Sequence, residues 1–154
     1  MPPAPTTADP TPFSRILEMP SWLIGRASAY SHRLLVDGFA AADSRGYHHR
    51  LLAALEEFGP ASQAALGRRT GIDRSDVVAA LNELADRRLI QRSPDPDDRR
   101  RNIITITPAG TQQLRRLEKI LADVQDELLA PLSPADRTRL IRLLTRLLEH
   151  DVQT

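Results

Sequence analysis

The sequence contains no cysteine. That excludes disulfides, redox sensing through a thiol, and zinc or iron–sulfur centres held by thiolates. Aromatic residues make up only 4% of the chain, so a core has to be assembled from Leu, Ala, Ile and Val. Leu and Ala favour helix, whereas Val and Ile cluster only locally. No apolar run reaches the roughly 20 residues that span a bilayer, and the N-terminus lacks the basic-then-apolar start of a secretory signal. The expectation is a cytoplasmic protein with no membrane partner. Neither sign of charge predominates: 21 Lys and Arg against 20 Asp and Glu leave a formal net charge of +1 over 154 residues. Overall charge therefore gives no argument for a nucleic-acid partner, and its distribution has to be read instead. Nucleophile–base pairs, phosphate-cradling glycine loops and metal-ligand spacings are also lacking, so neither catalysis nor a cofactor is expected. His48 and His49 are adjacent, diverge by about 100° on a helix and are poorly placed to share a metal.

What the chain does have is a succession of helix-period segments with clear start and stop signals. Residues 1–19 open with a Pro-, Ala- and Thr-rich stretch that has little to bury, and most of this tail is expected to be disordered. Over residues 21–39, Trp22, Leu23, Arg26, Ala29, Tyr30, Arg33 and Leu34 recur at helical spacing. Tyr47, Leu51, Leu52, Ala54, Leu55 and Phe58 form a second helix, ended by Gly59-Pro60. Ser62 caps a short third helix over 63–69 that stops at Gly71. Asp73 caps a fourth, whose inward positions are Val77, Ala80, Leu81 and Leu84. Residues 89–92 and 103–107 are strand candidates joined by a turn rich in Pro and Asp. Thr107-Pro108 and Ser133-Pro134 each place a cap before a proline at the first helical position, opening two C-terminal helices. In the last of these, Leu140, Ile141, Leu143, Leu144, Leu147 and Leu148 spread over about 160°, wider than the ~100° that one contact needs. That width predicts burial against two partners, one of them a second subunit; the alternative is a helix central to its own domain.

Between residues 61 and 110, two short helices flank a glycine turn and an Arg-tipped hairpin follows. This is the pattern of a winged helix-turn-helix: a mainly α fold with a small β-wing, flanked by N- and C-terminal helices. In that geometry the second helix enters the major groove with its N-terminal side chains at base edges. Its outward positions are Arg74, Ser75, Val78, Ala79 and Asn82, and Arg suits guanine while Asn suits adenine. Asp76 reads as a helix-start residue and, in the second place, as a base contact. Ser62 and Gln63 begin the preceding helix, where backbone N–H groups suit phosphate. Arg99, Arg100 and Arg101 at the hairpin tip fit a narrow, electronegative minor groove, and at least one of them is expected to pair with Asp97 or Asp98. Arg87 and Arg88 read as helix-end residues favourable to the dipole and, in the second place, as phosphate contacts. Between Gly67 and Arg101 nine Arg face seven Asp or Glu, so position matters more than count. A competing reading, a winged module that binds protein rather than DNA, draws on the low net charge and on Ala79, where a longer polar reader is expected.

In order and spacing, five motifs resemble the MarR family of bacterial transcriptional regulators. They are G-P-x-S ending at Ser62, R-T-G-I-D-R-S ending at Ser75, L-x-x-R-x-L-I-x-R ending at Arg92, D-D-R-R ending at Arg100, and I-T-I-T-P-A-G ending at Gly110. The resemblance covers roughly residues 20–150. It implies a homodimeric repressor of double-stranded DNA with a pseudo-palindromic operator. The implied layout is a tail over 1–19, a dimerisation helix over 20–44, the DNA-binding domain over 45–109 and dimerisation helices over 110–154. Asp98 and Arg100 then occupy wing positions that organise and contact the minor groove, and Arg92 joins the DNA-binding set. The resemblance also implies a small phenolic or anionic effector between the dimerisation helices and the winged domain. Its candidates here are Trp22, Arg26, Tyr30, His32, Tyr47, His48 and Arg50, since aromatic rings beside cations suit an aromatic carboxylate. Thiol-sensing members carry a reactive Cys near the N-terminal helices; without one, any switch here answers to a different signal.

Overall fold

The computed structural model describes residues 14–152; the disorder expected of residues 1–12 lies outside them. The chain divides into two compact units, one ending at Arg33 and the other starting at Leu34. The first contains a single helical turn, α1 (Ser14–Leu17), and the opening of α2 (Pro20–Ala40). Sequence periodicity gave no warning of α1, because four residues are too few to show a repeat. Along this stretch of α2, Arg26 lies over the Trp22 ring at 5.9 Å and Arg33 over the Tyr30 ring at 5.8 Å, as one-turn neighbours on a helix do.

In the second unit α2 ends and is followed by α3 (Gly46–Phe58), β1 (Ala61–Ser62), α4 (Gln63–Thr70), α5 (Arg74–Asp86), β2 (Ile90–Pro94), β3 (Asn102–Ile106), α6 (Pro108–Leu128) and α7 (Pro134–Val152). The three strands form an antiparallel sheet in the order β1-β3-β2. Ile90 stands opposite Ile106, Arg92 opposite Ile104, and Pro94 opposite Asn102. β1 is only two residues long, so no alternation of side chains announced it.

The core is aliphatic, as the scarcity of aromatics requires. Leu51, Leu52 and Leu55 of α3, Leu66 of α4, Val77, Leu81 and Leu84 of α5, Ile104 of β3, and Leu114 and Leu117 of α6 are its most deeply buried side chains. A fully buried residue of this kind contributes about 1.5–3 kcal/mol of transfer free energy, so these ten hold α3, α4, α5 and α6 against the sheet. α7 stands apart: none of its residues is buried.

Most of the expected caps are in place. Ser62 Oγ accepts from the Ala65 amide at 3.2 Å, Thr107 Oγ1 from Gly110 at 3.0 Å, and Ser133 Oγ from Asp136 at 3.2 Å. Gly71 ends α4 at φ 66°, a left-handed conformation that glycine adopts without Cβ strain. Asp73 corrects the sequence reading. It occupies the N-cap position of α5, but its side chain makes no capping hydrogen bond. The turn that follows α5 carries a second left-handed residue, Arg88 at φ 57°. Its carbonyl accepts from Thr107 Oγ1 at 2.8 Å, tying the end of α5 to the start of α6.

Candidate nucleic-acid interface

The fold places α4, α5 and the β2–β3 wing around one open cleft of about 760 Å³. α4 presents its N-terminal end, with Ser62, Gln63 and Ala64 on the wall, and Arg68 a turn further on. α5 contributes Arg74, and the wing contributes Arg92, Arg100, Arg101 and Asn102. The lining holds five arginines and no carboxylate. The acids of this region are used elsewhere. Asp76 accepts from the Tyr47 hydroxyl at 3.4 Å, and Glu83 is held by Arg45 and His48. Asp95 Oδ1 accepts from the Asp97 amide at 2.9 Å, and Asp98 Oδ1 from the Arg100 amide at 3.0 Å. Within the near-neutral local count, Asp95 and Asp98 shape the wing turn while five of the nine arginines face the cleft.

The wing tip follows from those two aspartates. Asp98 turns the chain so that the Arg101 amide donates to its carbonyl at 2.9 Å, and the Arg101 carbonyl closes the loop by accepting from Asp95. The pairing expected between a tip arginine and a loop acid is Arg101 with Asp98, at 3.8 Å. Both partners are well exposed, so the pair adds little stability and leaves the guanidinium available. Arg99 and Arg100 are exposed on the same tip.

Of the residues singled out in the sequence, the cleft gathers Ser62, Gln63, Arg74, Arg92, Arg100 and Arg101. Ser75, Val78 and Ala79 are exposed on α5, outside the lining. Asn82 is also exposed, and its Oδ1 accepts from Arg92 Nη2 at 2.7 Å. One acceptor needed for two-point contact with adenine therefore already has a partner across the α5–β2 junction. Arg68 and Asn102 line the cleft although the sequence had not marked them. Each borders a recognised motif, Arg68 one residue before R-T-G-I-D-R-S and Asn102 one after the Arg triplet, and contiguity with those basic runs was the available signal.

The residues suggested for an effector are divided between the two units. Trp22, Arg26, Tyr30 and His32 belong to the first unit, Tyr47, His48 and Arg50 to α3. Within the second unit, the Tyr47 ring has Arg45 at 5.6 Å and Arg50 at 5.1 Å from its centroid. His48 is only 3% exposed. Its Nδ1 accepts from the Arg45 amide at 3.2 Å, which leaves Nε2–H to donate to Glu83 Oε2 at 2.5 Å. Burial is the main reason that its proton affinity falls below the ordinary value of 6.5, against the opposing pull of Glu83. Desolvation also lowers His49. Burial lifts the Glu83 carboxyl, but hydrogen bonds from Arg45 and His48 outweigh that and hold it below the usual carboxylate value.

All three shifts have the same sign for stability. A group that binds its proton more weakly when folded stabilises the fold above its unfolded pKa, and that contribution is lost as pH falls. The two histidines set the window, below about 6.5, and Glu83 adds to the loss below its ordinary 4.5. Thermal unfolding followed by circular dichroism is expected to show a midpoint several degrees lower at pH 5 than at pH 7.5. A midpoint that rises on acidification would contradict this arrangement.

Among the described residues no group of three or more His, Asp or Glu is placed to hold a metal ion, and no helix is long and apolar enough to cross a membrane. The family model described as MarR family matches residues 44–101, the stretch that runs from the start of α3 to the wing tip. A protein of Thauera aromatica named as a transcriptional regulatory protein for the hcr operon is 41% identical over 93 residues, 60% of this chain and 56% of that protein. The match therefore spans little more than half of that relative's length. A solved structure from Pseudomonas aeruginosa, described as a transcriptional regulator, superposes with a TM-score of 0.74 at 32% identity, covering 86% of this chain and 99% of that one. The PcaV transcriptional regulator of Streptomyces coelicolor, solved in complex with its natural ligand, gives a TM-score of 0.71 at 27% identity over 87% of this chain and 94% of that one. Motif order, winged architecture and these likenesses agree: the chain belongs to the MarR family.

Proposed function

We propose that this chain is a sequence-specific DNA-binding regulator of transcription, working in the cytoplasm as a homodimeric repressor. One observation carries the reading: the cleft between α4, α5 and the wing is lined by five arginines and no carboxylate, although the chain as a whole is nearly neutral. A helix start, an exposed helix face and a cationic hairpin around one concavity match the phosphate backbone, the major groove and the minor groove in turn. Selection from a random duplex library tests it. The expected result is an enriched pseudo-palindrome with half-site centres about one helical turn apart. If no sequence is enriched and DNA binding is indifferent to sequence, the reading fails in favour of a winged protein-interaction module.

The homodimer rests on α7. Ile141, Leu143, Leu144, Leu147 and Leu148 are 40–68% exposed, and exposed apolar side chains grouped along one helix mark an interaction surface. In this reading residues 20–44 and 110–154 form the subunit interface and residues 45–109 read DNA. Sedimentation velocity is expected to give a dimer for the native chain. Leu147→Glu with Leu148→Glu is expected to shift it to monomer at micromolar concentration without unfolding it, because both side chains are more than half exposed and outside the core. A double variant that remains dimeric would remove α7 from the interface. No catalytic role is assigned to any residue.

A small aromatic or anionic effector is the second part of the proposal. PcaV, solved with its natural ligand, and the Arg–aromatic pairs along α2 and α3 support it. A thermal-shift screen of aromatic acids tests it directly, since a ligand that binds only the folded state raises the midpoint with concentration.

A further inference from the structure

α5 is gripped from a side that does not face the cleft. Asp76, Ala80, Glu83 and Arg87 fall within about 60° of one another around the helix at roughly 100° per residue. The exposed positions Arg74, Ser75, Val78, Ala79 and Asn82 lie on the arc beyond it. Every polar member of the first group is engaged by one short segment, residues 42–48, where α2 ends and α3 begins. Tyr47 donates its hydroxyl to Asp76 Oδ2 at 3.4 Å. Arg45 grips Glu83 with Nη2 at 3.0 and 2.9 Å and Nε at 3.3 Å, and His48 Nε2 meets the same carboxylate. Arg87, the C-cap of α5, reaches back to the Asp43 carbonyl at 2.8 Å, to Ser44 Oγ at 3.4 Å and to the Ala42 carbonyl at 3.4 Å. Gln113 of α6 fastens that corner from behind, donating to the Ala42 carbonyl at 3.1 Å and to Ser44 Oγ at 3.0 Å.

These contacts are poor investments in stability. The Arg45–Glu83 pair is nearly half exposed on both sides, and such pairs add little. Their spacing is more informative, for they hold α5 at its first turn, its last full turn and its end. The apolar side chains beneath it, Val77, Leu81 and Leu84, press α5 against the core, yet apolar contact is non-directional and tolerates a small rotation about the helix axis. Three polar anchors in one line do not. A rotation that moved Asn82 or Arg74 across a base edge would have to break the bonds at Glu83 and Arg87 together.

We infer that the corner formed by residues 42–48 sets the rotation of α5, and that Glu83 and Arg87 are positioning residues that determine sequence specificity without touching DNA. The inference rests on the DNA-reading function proposed above.

The test uses the full-length dimer and two 30-base-pair duplexes, one carrying the sequence recovered by selection and one a scrambled version. Glu83→Ala is expected to weaken binding to the selected duplex about tenfold and leave binding to the scrambled duplex within twofold, because cleft and wing arginines are untouched. Tyr47→Phe removes one hydroxyl, keeps the fold, and is expected to cause a two- to threefold loss on the selected duplex alone. A purely structural role predicts another pattern, equal losses on both duplexes in proportion to the unfolded fraction seen by circular dichroism. Equal losses, or an unchanged ratio in both variants, overturn the inference. The native chain is the control for the underlying reading: if it does not distinguish the duplexes, DNA reading itself fails, whereas native discrimination with an unaltered variant ratio sinks only the role of the corner.

Discussion

Reversing the wing tip, with Arg100→Glu and Arg101→Glu together, is expected to lower affinity for duplex DNA at least about 100-fold at moderate salt. Both arginines line the cleft from the wing. Nothing in the fold depends on either guanidinium, since Arg101 makes one long contact to Asp98 and the Arg100 contact is made by its backbone amide. The melting temperature and the dimer should therefore survive. The salt dependence gives the sharper readout. Each phosphate neutralised contributes about 0.9 to the slope of log affinity against log salt, so losing two arginines from each of two wings should flatten that slope by about 3 to 4. An unchanged affinity and slope, measured by fluorescence anisotropy across a salt series, would mean that the wing is not a DNA element.

The second large effect is on the fold. Gly110→Ala is expected to destabilise the protein by about 3 kcal/mol or more, at the upper end of what overpacking costs. A Cβ there would stand 2.0 Å from the Leu89 carbonyl oxygen and 2.8 Å from Ile106 Cγ1. The oxygen cannot step aside, since it accepts the Thr107 amide at 3.1 Å and belongs to the residue that enters β2. Helix propensity favours Ala over Gly by about 1 kcal/mol, the opposite direction, so the sign of the change reports which effect wins. Gly67→Ala is the matched control. Its Cβ would meet Ile72 and Val77 atoms only at 3.7 Å, an ordinary contact, and propensity should then stabilise by up to about 1 kcal/mol. Urea unfolding of the pair is expected to move the midpoint down for residue 110 and up for residue 67. A Gly110→Ala chain as stable as the native one would contradict the close seating of α6 beneath the wing.

How much of this was visible in the sequence depended on how local each feature is. Ser62, Thr107-Pro108 and Ser133-Pro134 located helix starts because a cap acts within three residues, and the inward series Val77, Ala80, Leu81 and Leu84 located the buried side of α5 because it repeats along one element. Asp73 shows where such reasoning stops: the residue type was right for a cap, but the side chain does not make the bond. α1 and β1 were too short to carry a period. The Arg triplet was legible as a tip, yet the division between carboxylates that turn the loop and arginines that line the cleft needed the wing's geometry. Least legible was the grip on α5. His48 and Glu83 are 35 residues apart, and Arg87 and Ser44 are 43 apart; no periodicity or local rule links such positions. Arg87 read as a helix-end charge and stands at the C-cap of α5, but its guanidinium also binds the turn that leaves α2, which no local rule showed.

The central claim is that a nearly neutral chain concentrates cationic surface into a groove reader. Its most direct test is titration of the native protein against the selected duplex and its scrambled counterpart over a range of salt. The account predicts at least about a thousandfold preference for the selected duplex near physiological salt. It also predicts that affinity for either duplex falls steeply and linearly on logarithmic axes as salt rises. Equal affinity for the two duplexes, or binding indifferent to salt, would contradict it.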